Sequence, residues 1–221
     1  MPVTESAILS HTDREPYITP MKTLIRPIED TDIERVSSLM EGVFRFAYRT
    51  AFSDEAGFEA YIRSSFQPAR CAAELQKNCV ACLVGACGDE IAGVLKLATQ
   101  SVPEEVRGSR PVELSKLYVH ENWHGRGVAG RLMERALGIA LDAGFDSMWL
   151  CVWEHNPRAQ AFYRKHGFEV IGDMVIPVNG VSFRDLVMWR MVQRETRSQP
   201  DQVLCVRTPR SGAYACVTTR R

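Results

Sequence analysis

The sequence predicts a single α/β domain with a central mixed, mostly antiparallel sheet flanked by helices. Three observations lead there. Short β-prone runs recur along the chain between segments of helical periodicity. A glycine-rich turn, His124-Gly125-Arg126-Gly127-Val128-Ala129-Gly130, joins a strand to a helix. A second helix is bracketed by Asn156-Pro157 at its start and Gly167 past its end.

Taken in order, Thr23–Arg26 is a short strand stopped by Pro27, and Asp30 or Thr31 can cap a helix with Ile33, Val36, Leu39, Met40 and Val43 on one face. Ser53 opens a short helix carrying Phe58, Tyr61 and Ile62, and 69–77 forms a third. Val80–Ala86 and Ile91–Thr99 make a hairpin around Gly88-Asp89-Glu90. A polar loop, 101–111, leads into a strand at 111–120. A helix follows over 126–143, with Val128, Leu132, Ala136 and Ile139 on one face and Gly144 just beyond. Ser147–Glu154 is a strand, and Glu169–Ile176 with Ser182–Val192 close the sheet around Asn179-Gly180. Residues 1–21 form a leader without periodicity, 22–193 the domain, and 194–221 a tail rich in Arg, Ser, Thr and Pro, in which Cys205, Tyr214 and Cys216 lie.

The 221 residues include 27 Lys and Arg against 27 Asp and Glu, a formal charge of zero that argues against a broad nucleic-acid footprint. No apolar run has the length of a bilayer span, and the first twenty residues lack the apolar core of a secretory signal. Seven cysteines are an odd number for a disulfide framework. Reduced thiols in a cytoplasmic protein are the expectation. Cys79 and Cys82 form a C-x-x-C on a predicted strand, where residues three apart point to opposite faces, so no metal site is expected.

Gly125-x-Gly127-x-x-Gly130 matches the dinucleotide fingerprint literally. In a nucleotide-binding βαβ unit, however, the strand runs almost directly into the first glycine, whereas here residues 121–124 intervene. What remains is a glycine turn at a helix start, which offers unpaired backbone N–H groups and a positive dipole end to an anion.

With the motif His124-x-x-Gly127-x-Ala129, the chain resembles the GCN5-related N-acetyltransferases (GNAT superfamily), whose loop is [Q/R]-x-x-G-x-[G/A]. Only the first position departs. Asn156, Ala159, Phe162, Tyr163, Gly167 and Phe168 match the family segment N-x-x-A-x-x-[F/L]-Y-x-x-x-G-F. Within the superfamily, the run 149–156, Asp185-Leu186-Val187-Met188, Tyr48-x-x-Ala51-Phe52, Tyr61 and 92–97 look like the PaiA-type polyamine and small-molecule amine acetyltransferases. The resemblance covers about 22–193 and leaves leader and tail aside.

The resemblance implies an N-acetyltransferase that moves an acetyl group from acetyl-CoA to a primary amine by direct attack in a ternary complex, without a metal. It places the pyrophosphate of acetyl-CoA on the turn formed by His124, Gly125, Arg126, Gly127, Val128, Ala129 and Gly130, and the pantetheine arm along Leu117, Tyr118 and Val119. Asn156 anchors the arm while also serving as a helix cap, and Tyr163 points at the sulfur as general acid. Glu113, eleven residues before His124, takes the place of the catalytic base, with Glu154 and His155 as backups. The expected partner is a small amine, a polyamine among the candidates because Asp54, Glu55 and Glu59 make the second helix acidic. A protein N-terminus or lysine, a non-catalytic acyl-CoA-binding module and a homodimer stay open; neither nucleic acid nor membrane is expected.

Overall fold

The computed structural model describes residues 23–192 together with 203–207 and 214–218. In chain order the elements are β1 (Leu24–Pro27), α1 (Ile33–Tyr48), α2 (Glu55–Ser65), α3 (Pro68–Gln76), β2 (Cys79–Cys87), β3 (Glu90–Ala98), β4 (Pro111–Val119), α4 (Val128–Asp142), β5 (Ser147–Trp153), α5 (Pro157–Lys165), β6 (Glu169–Val178) and β7 (Val181–Met191), followed by β8 (Val203–Arg207) and β9 (Tyr214–Thr218).

Seven strands form one sheet in the order β1-β2-β3-β4-β5-β7-β6. Every pairing in it is antiparallel except β4 with β5, which α4 connects as a crossover. The mixed sheet flanked by helices is the architecture expected. Its hairpins obey local turn chemistry. Cys87 pairs with Glu90 across a Gly88-Asp89 loop, and Val178 pairs with Val181 across Asn179 (φ 48°) and Gly180 (φ 80°), the Asn-Gly pair that a type I′ turn requires. β8 and β9 pair with each other, so two strands lie in the segment read as a patternless tail. The predicted leader, 1–21, lies outside the described residues.

The sheet carries a core on each face. On one, Phe58, Ile62, Leu75, Val36 and Met40 from α1–α3 cover Val84 and Val94. On the other, Val128, Leu132, Met133 and Ala136 of α4, with Tyr163 and Phe168 of the α5 segment, cover Leu95, Val112, Leu114, Met148 and Leu150. These apolar positions recur at helical spacing in the helices, which is why the periodicity found them.

Three boundaries move. α4 begins at Val128 rather than at residue 126, because Gly127 sits at φ 78° and the Arg126 amide turns back to the Trp123 carbonyl at 3.3 Å. α2 begins at Glu55, two residues after Ser53, and Pro27 falls inside β1, an edge strand where its missing N–H costs no ladder bond. The C-x-x-C needs a correction as well. A bulge between Cys79 and Ala81 shifts the phase of β2, so both thiols line one small cavity with Ile28 and Leu75 instead of facing apart. Burial raises both thiol pKa values, that of Cys82 to about 12, so the pair is protonated. Among the described residues no group of three or more His, Cys, Asp or Glu could hold a metal ion. Nor, among them, is any helix long and apolar enough to cross a membrane.

Asp32 fastens the start of α1 to β1. Its side chain has no solvent exposure and accepts from Arg26 at 2.6 and 2.9 Å, from Arg35 at 3.0 Å and from the Glu29 amide at 2.9 Å. The Arg26 hydrogen bonds hold its pKa below the ordinary carboxylate value, so its stabilisation is present above the unfolded pKa and is lost as pH falls through the folded one. Asp32→Asn takes from Arg26 the closer of its two counter-charges, leaving Glu29 at 3.8 Å, and is expected to cost about 3 kcal/mol at pH 7. Urea unfolding at pH 7 and pH 3 checks this: the gap should narrow at the lower pH, and an equal gap at both would refute the ion-pair account.

Candidate active site

β4 and β5 are paired over only three residues, Pro111, Val112 and Glu113 against Ser147, Met148 and Trp149, and then diverge. A bulge follows at once: Lys96 pairs with Lys116 but Leu97 with Leu114, leaving Ser115 extra. The bulge keeps Val112, Leu114, Leu117 and Val119 on the α4 face, all packed in or against its core. Glu113, Lys116 and Tyr118 therefore share the opposite face. Beyond the fork, the gap between the strands opens into a cavity of about 340 Å³ lined by Leu117, Val119, His124, Ala129, Asn156 and Tyr163 among others. Six residues picked from the sequence thus converge on one space.

The backbone of this gap is also available. The His120 amide donates to the Ala92 carbonyl and Tyr118 is registered with Val94, so alternation turns the N–H and C=O groups of Leu117 and Val119 away from β3, toward the gap. Tyr118 is corrected here. Its backbone is spent on β3 and its side chain lines a different cavity on the far face, so Leu117 and Val119 alone form the free edge.

At the mouth of the gap lies the glycine turn. Gly125 at φ 75° and Gly127 at φ 78° adopt the left-handed conformation that favours glycine. The first intrahelical bond of α4 is donated by Arg131, to Gly127 at 3.1 Å, so the amides of Val128, Ala129 and Gly130 precede any intrahelical acceptor. The Val128 side chain is buried in the core and offers only its amide, and the Arg126 amide is already used. Arg126 lies over Trp123 at 5.3 Å. Arg131 folds back over the turn, its Nη1 3.1 Å from where a Gly127 Cβ would be, and its buried Nε has no hydrogen-bond partner. An orphaned guanidinium N–H beside three free amides is what a diphosphate would satisfy.

His124 has a defined role in holding this mouth. Its Nε2–H donates to the Val119 carbonyl at 2.9 Å and its Nδ1 accepts from Arg158. Burial, then the Arg158 charge, lowers its pKa, in keeping with a neutral ring in that tautomer. Asn156 caps α5, its Oδ1 accepting from the Ala159 amide at 3.1 Å, while the residue still lines the gap. Tyr163, seven residues on, is 9% exposed, and burial raises its phenol above the usual value, so it keeps its proton.

Glu113 stands at the apex of the fork, 8% exposed, and accepts from the Gln100 side chain. Burial pushes its pKa to about 7, against the opposing pull of Lys116 and Lys96. Of the backups, the Glu154 carboxylate is held by Arg184 at 2.9 Å, whereas His155 lines the gap with its side chain 71% exposed. His166 caps the C-terminal end of α5, its Nδ1 2.9 Å from the Phe162 carbonyl. Sequence reasoning missed Asp185. It is registered with Trp153 on the face of Glu113, and burial lifts its carboxyl to about 6. It also missed Arg158, since only tertiary packing brings it to His124. The one sequence signal for Asp185 was its place in the Asp-Leu-Val-Met run.

Residues 39–168 match the model of the acetyltransferase (GNAT) family, and the chain belongs to that family. Over 86 residues it is 43% identical to an uncharacterised N-acetyltransferase of Mycobacterium bovis, covering 38% of this chain and 55% of the relative. A second relative, an uncharacterised N-acetyltransferase from Lactobacillus delbrueckii subsp. lactis, is 32% identical over 78 residues, covering 35% of this chain and 45% of its own length. The chain thus spans about half the length of the curated relatives it matches. In fold it is similar to the PaiA N-acetyltransferase of Thermoplasma acidophilum in complex with coenzyme A (TM-score 0.58, 18% identity, 77% of this chain and 99% of that one). It is also similar to the ribosomal-protein-S18-alanine N-acetyltransferase of Escherichia coli (TM-score 0.55, 15% identity, 80% and 97%).

Two predictions follow from this geometry. Gly127→Val forces a β-branched residue into φ 78° against Arg131, so acetyl-CoA affinity measured by calorimetry should fall by roughly tenfold or more in a variant with wild-type circular dichroism. Unchanged affinity would remove the turn from the site. For Glu113 the folded pKa, about 7, lies above the unfolded value, so ionisation opposes folding and stability falls as pH rises toward and through 7. Glu113→Gln should therefore unfold at higher urea than wild type at pH 8, by on the order of 3 kcal/mol, with little gain at pH 4. A pH-independent difference would contradict this.

Proposed function

We propose that the chain transfers an acetyl group from acetyl-CoA to a primary amine by direct attack. The observation that carries this is the fork: a free β edge on Leu117 and Val119 leads from an anion-accepting turn to a buried carboxylate, with a buried phenol on the other side of the gap. The diphosphate fits the amides of Val128, Ala129 and Gly130 and the Nε of Arg131. The pantetheine arm pairs with β4 as an added strand, anchored by Asn156, which puts the thioester toward the apex.

An alkylammonium with pKa near 10 must lose a proton before it can attack. Glu113, poised near neutral pH, takes that proton through a water. The amine nitrogen then attacks the thioester carbon, the C–S bond breaks, the sulfur leaves as thiolate, and the surplus proton of the nitrogen replaces the one that Tyr163 gives up. Tyr163, which stays protonated because its pKa is raised by burial, donates to that sulfur as charge develops. No enzyme nucleophile is needed. Cys151, near Asp185 and Glu113, has its thiol pushed up to about 12, mainly by burial, and is a poor candidate for one.

For the acceptor, α2 offers a polyamine little, because Glu55 is paired with Arg49 at 2.9 Å and Glu59 with Arg45 at 2.5 Å, which leaves Asp54 alone of the three carboxylates without a cation partner among the described residues. Protein N-termini and lysines are the alternative. We place the reaction in the cytoplasm, in keeping with the five free thiols among the described residues. The apolar residues exposed on edge strand β6, among them Val170 and Val175, are the best support for a homodimer.

Release of CoA across an amine panel, followed with a thiol reagent, tests the activity; cofactor binding without release would make the chain an acyl-CoA-binding module instead. Tyr163→Phe should lower kcat by on the order of 10²-fold with acetyl-CoA affinity nearly intact. Wild-type turnover would end the general-acid role. In wild type, kcat/KM should bend near pH 7 as Glu113 ionises. Glu113→Gln should remove that bend and recover activity only at high pH, where the amine arrives neutral. A bend near pH 6 that survives in Glu113→Gln and disappears in Asp185→Asn would assign the base to Asp185.

A further inference from the structure

A second cavity, of about 400 Å³, lies on the Glu113 face of β4, walled by α1, α2 and α3. Lys116 and Tyr118 line it, whereas their neighbours Leu117 and Val119 line the gap described above, so β4 is the partition between the two spaces. Its charge is lopsided. Arg70, Lys77 and Lys116 line it, and Lys96 lies behind them with its side chain 3% exposed. Facing these cations are Glu74 on the rim, side chain 46% exposed, and the buried Glu113.

The two buried lysines, Lys96 and Lys116, are under-partnered for their burial. Lys96 Nζ donates to the Glu74 backbone carbonyl at 2.5 Å and stands 4.0 Å from its carboxylate, which Lys116 Nζ shares at 3.5 Å. Among the described residues Arg70 reaches only the Ser64 carbonyl, at 3.3 Å. One half-exposed carboxylate thus serves two lysines, one fully buried and the other largely so. The rest of the wall is apolar and aromatic, with Met40, Phe44, Tyr61 and Phe66. Such a space favours an apolar body ending in an anion and repels a second cationic end.

We propose that this cavity receives the anionic end of the acceptor, so that the amine acetylated is one carrying a carboxylate on an apolar body, as an amino acid does, and not a polyamine. This deepens the acetyl-transfer reading and rests on it. The carboxylate accepts from Lys116 and Arg70, the apolar body lies against Phe44 and Phe66, and the amine is directed along β4 toward Glu113.

Matched amines test the idea: 6-aminohexanoate against hexylamine and phenylalanine against phenethylamine, assayed by CoA release with wild type, Lys116→Gln and Arg70→Gln. Valerate, which carries the carboxylate without an amine, is titrated by calorimetry into the same proteins. The carboxylated member of each pair should win by roughly tenfold or more in kcat/KM, the size of one charge-assisted contact. That ratio should collapse toward unity in both variants, and valerate binding should weaken with it. Arg70 is exposed on the rim, so its replacement reports on the site even if Lys116→Gln disturbs the fold. Turnover that favours hexylamine and phenethylamine, with no valerate binding, would overturn the proposal and leave acetyl transfer standing. Conversely, no CoA release from any amine, with valerate bound in a Lys116-dependent way, would overturn the acceptor role and the acetyl-transfer reading while leaving an anion site.

Discussion

Everything in the site depends on β4 and β5 pairing for three residues and then separating. A sheet normally consumes the hydrogen-bonding capacity of its central strands, and an unpaired central edge is costly unless something fills it. Here the separation leaves the inner edge of β4 open at Leu117 and Val119, one group of which, the Val119 carbonyl, is held by His124. The same divergence makes room between α4 and α5 for a long ligand, and it puts Glu113 at the last paired position, buried and close to neutral in pKa.

Charge is arranged to match. The turn before α4 supplies free amides and an unpartnered arginine nitrogen, donors suited to an anion. Deeper in, the carboxyls of Glu113 and Asp185 are both raised by burial, and so is the phenol of Tyr163. Groups shifted toward their neutral forms around one gap are the condition for acid and base chemistry near pH 7. Family membership is consistent with this layout but says little about the acceptor. Proteins of the same fold include a PaiA acetyltransferase and one named for a ribosomal-protein alanine, so the fold alone does not fix the acceptor.

Much of the fold is legible in the sequence. The glycine turn, the Asn-Pro start of α5, its Gly167 stop and the Asn179-Gly180 hairpin are local signals, each read from adjacent residues, and each element formed where its signal lay. The errors arose where phase depends on a partner strand. The bulge after Cys79 brought two thiols to one face, and the bulge at Ser115 put Tyr118 on the face of Glu113 and Leu117 and Val119 on that of Leu114. A bulge is a property of a pair of strands, so one strand's alternation cannot report it.

The sequence by itself determined the element order, the anion-accepting turn and the spacing of Asn156 to Tyr163, because all of these are set by φ preferences, capping and helical pitch within a few residues. Only the tertiary structure decided which charges survive as charges. It spent Glu55 and Glu59 on arginines and Glu154 on Arg184, buried Lys96 beside a shared carboxylate, and brought Asp185 and Arg158 to the site from separate elements. Coulomb interaction and desolvation depend on distance through space and on exposure to water, and neither can be counted along the chain.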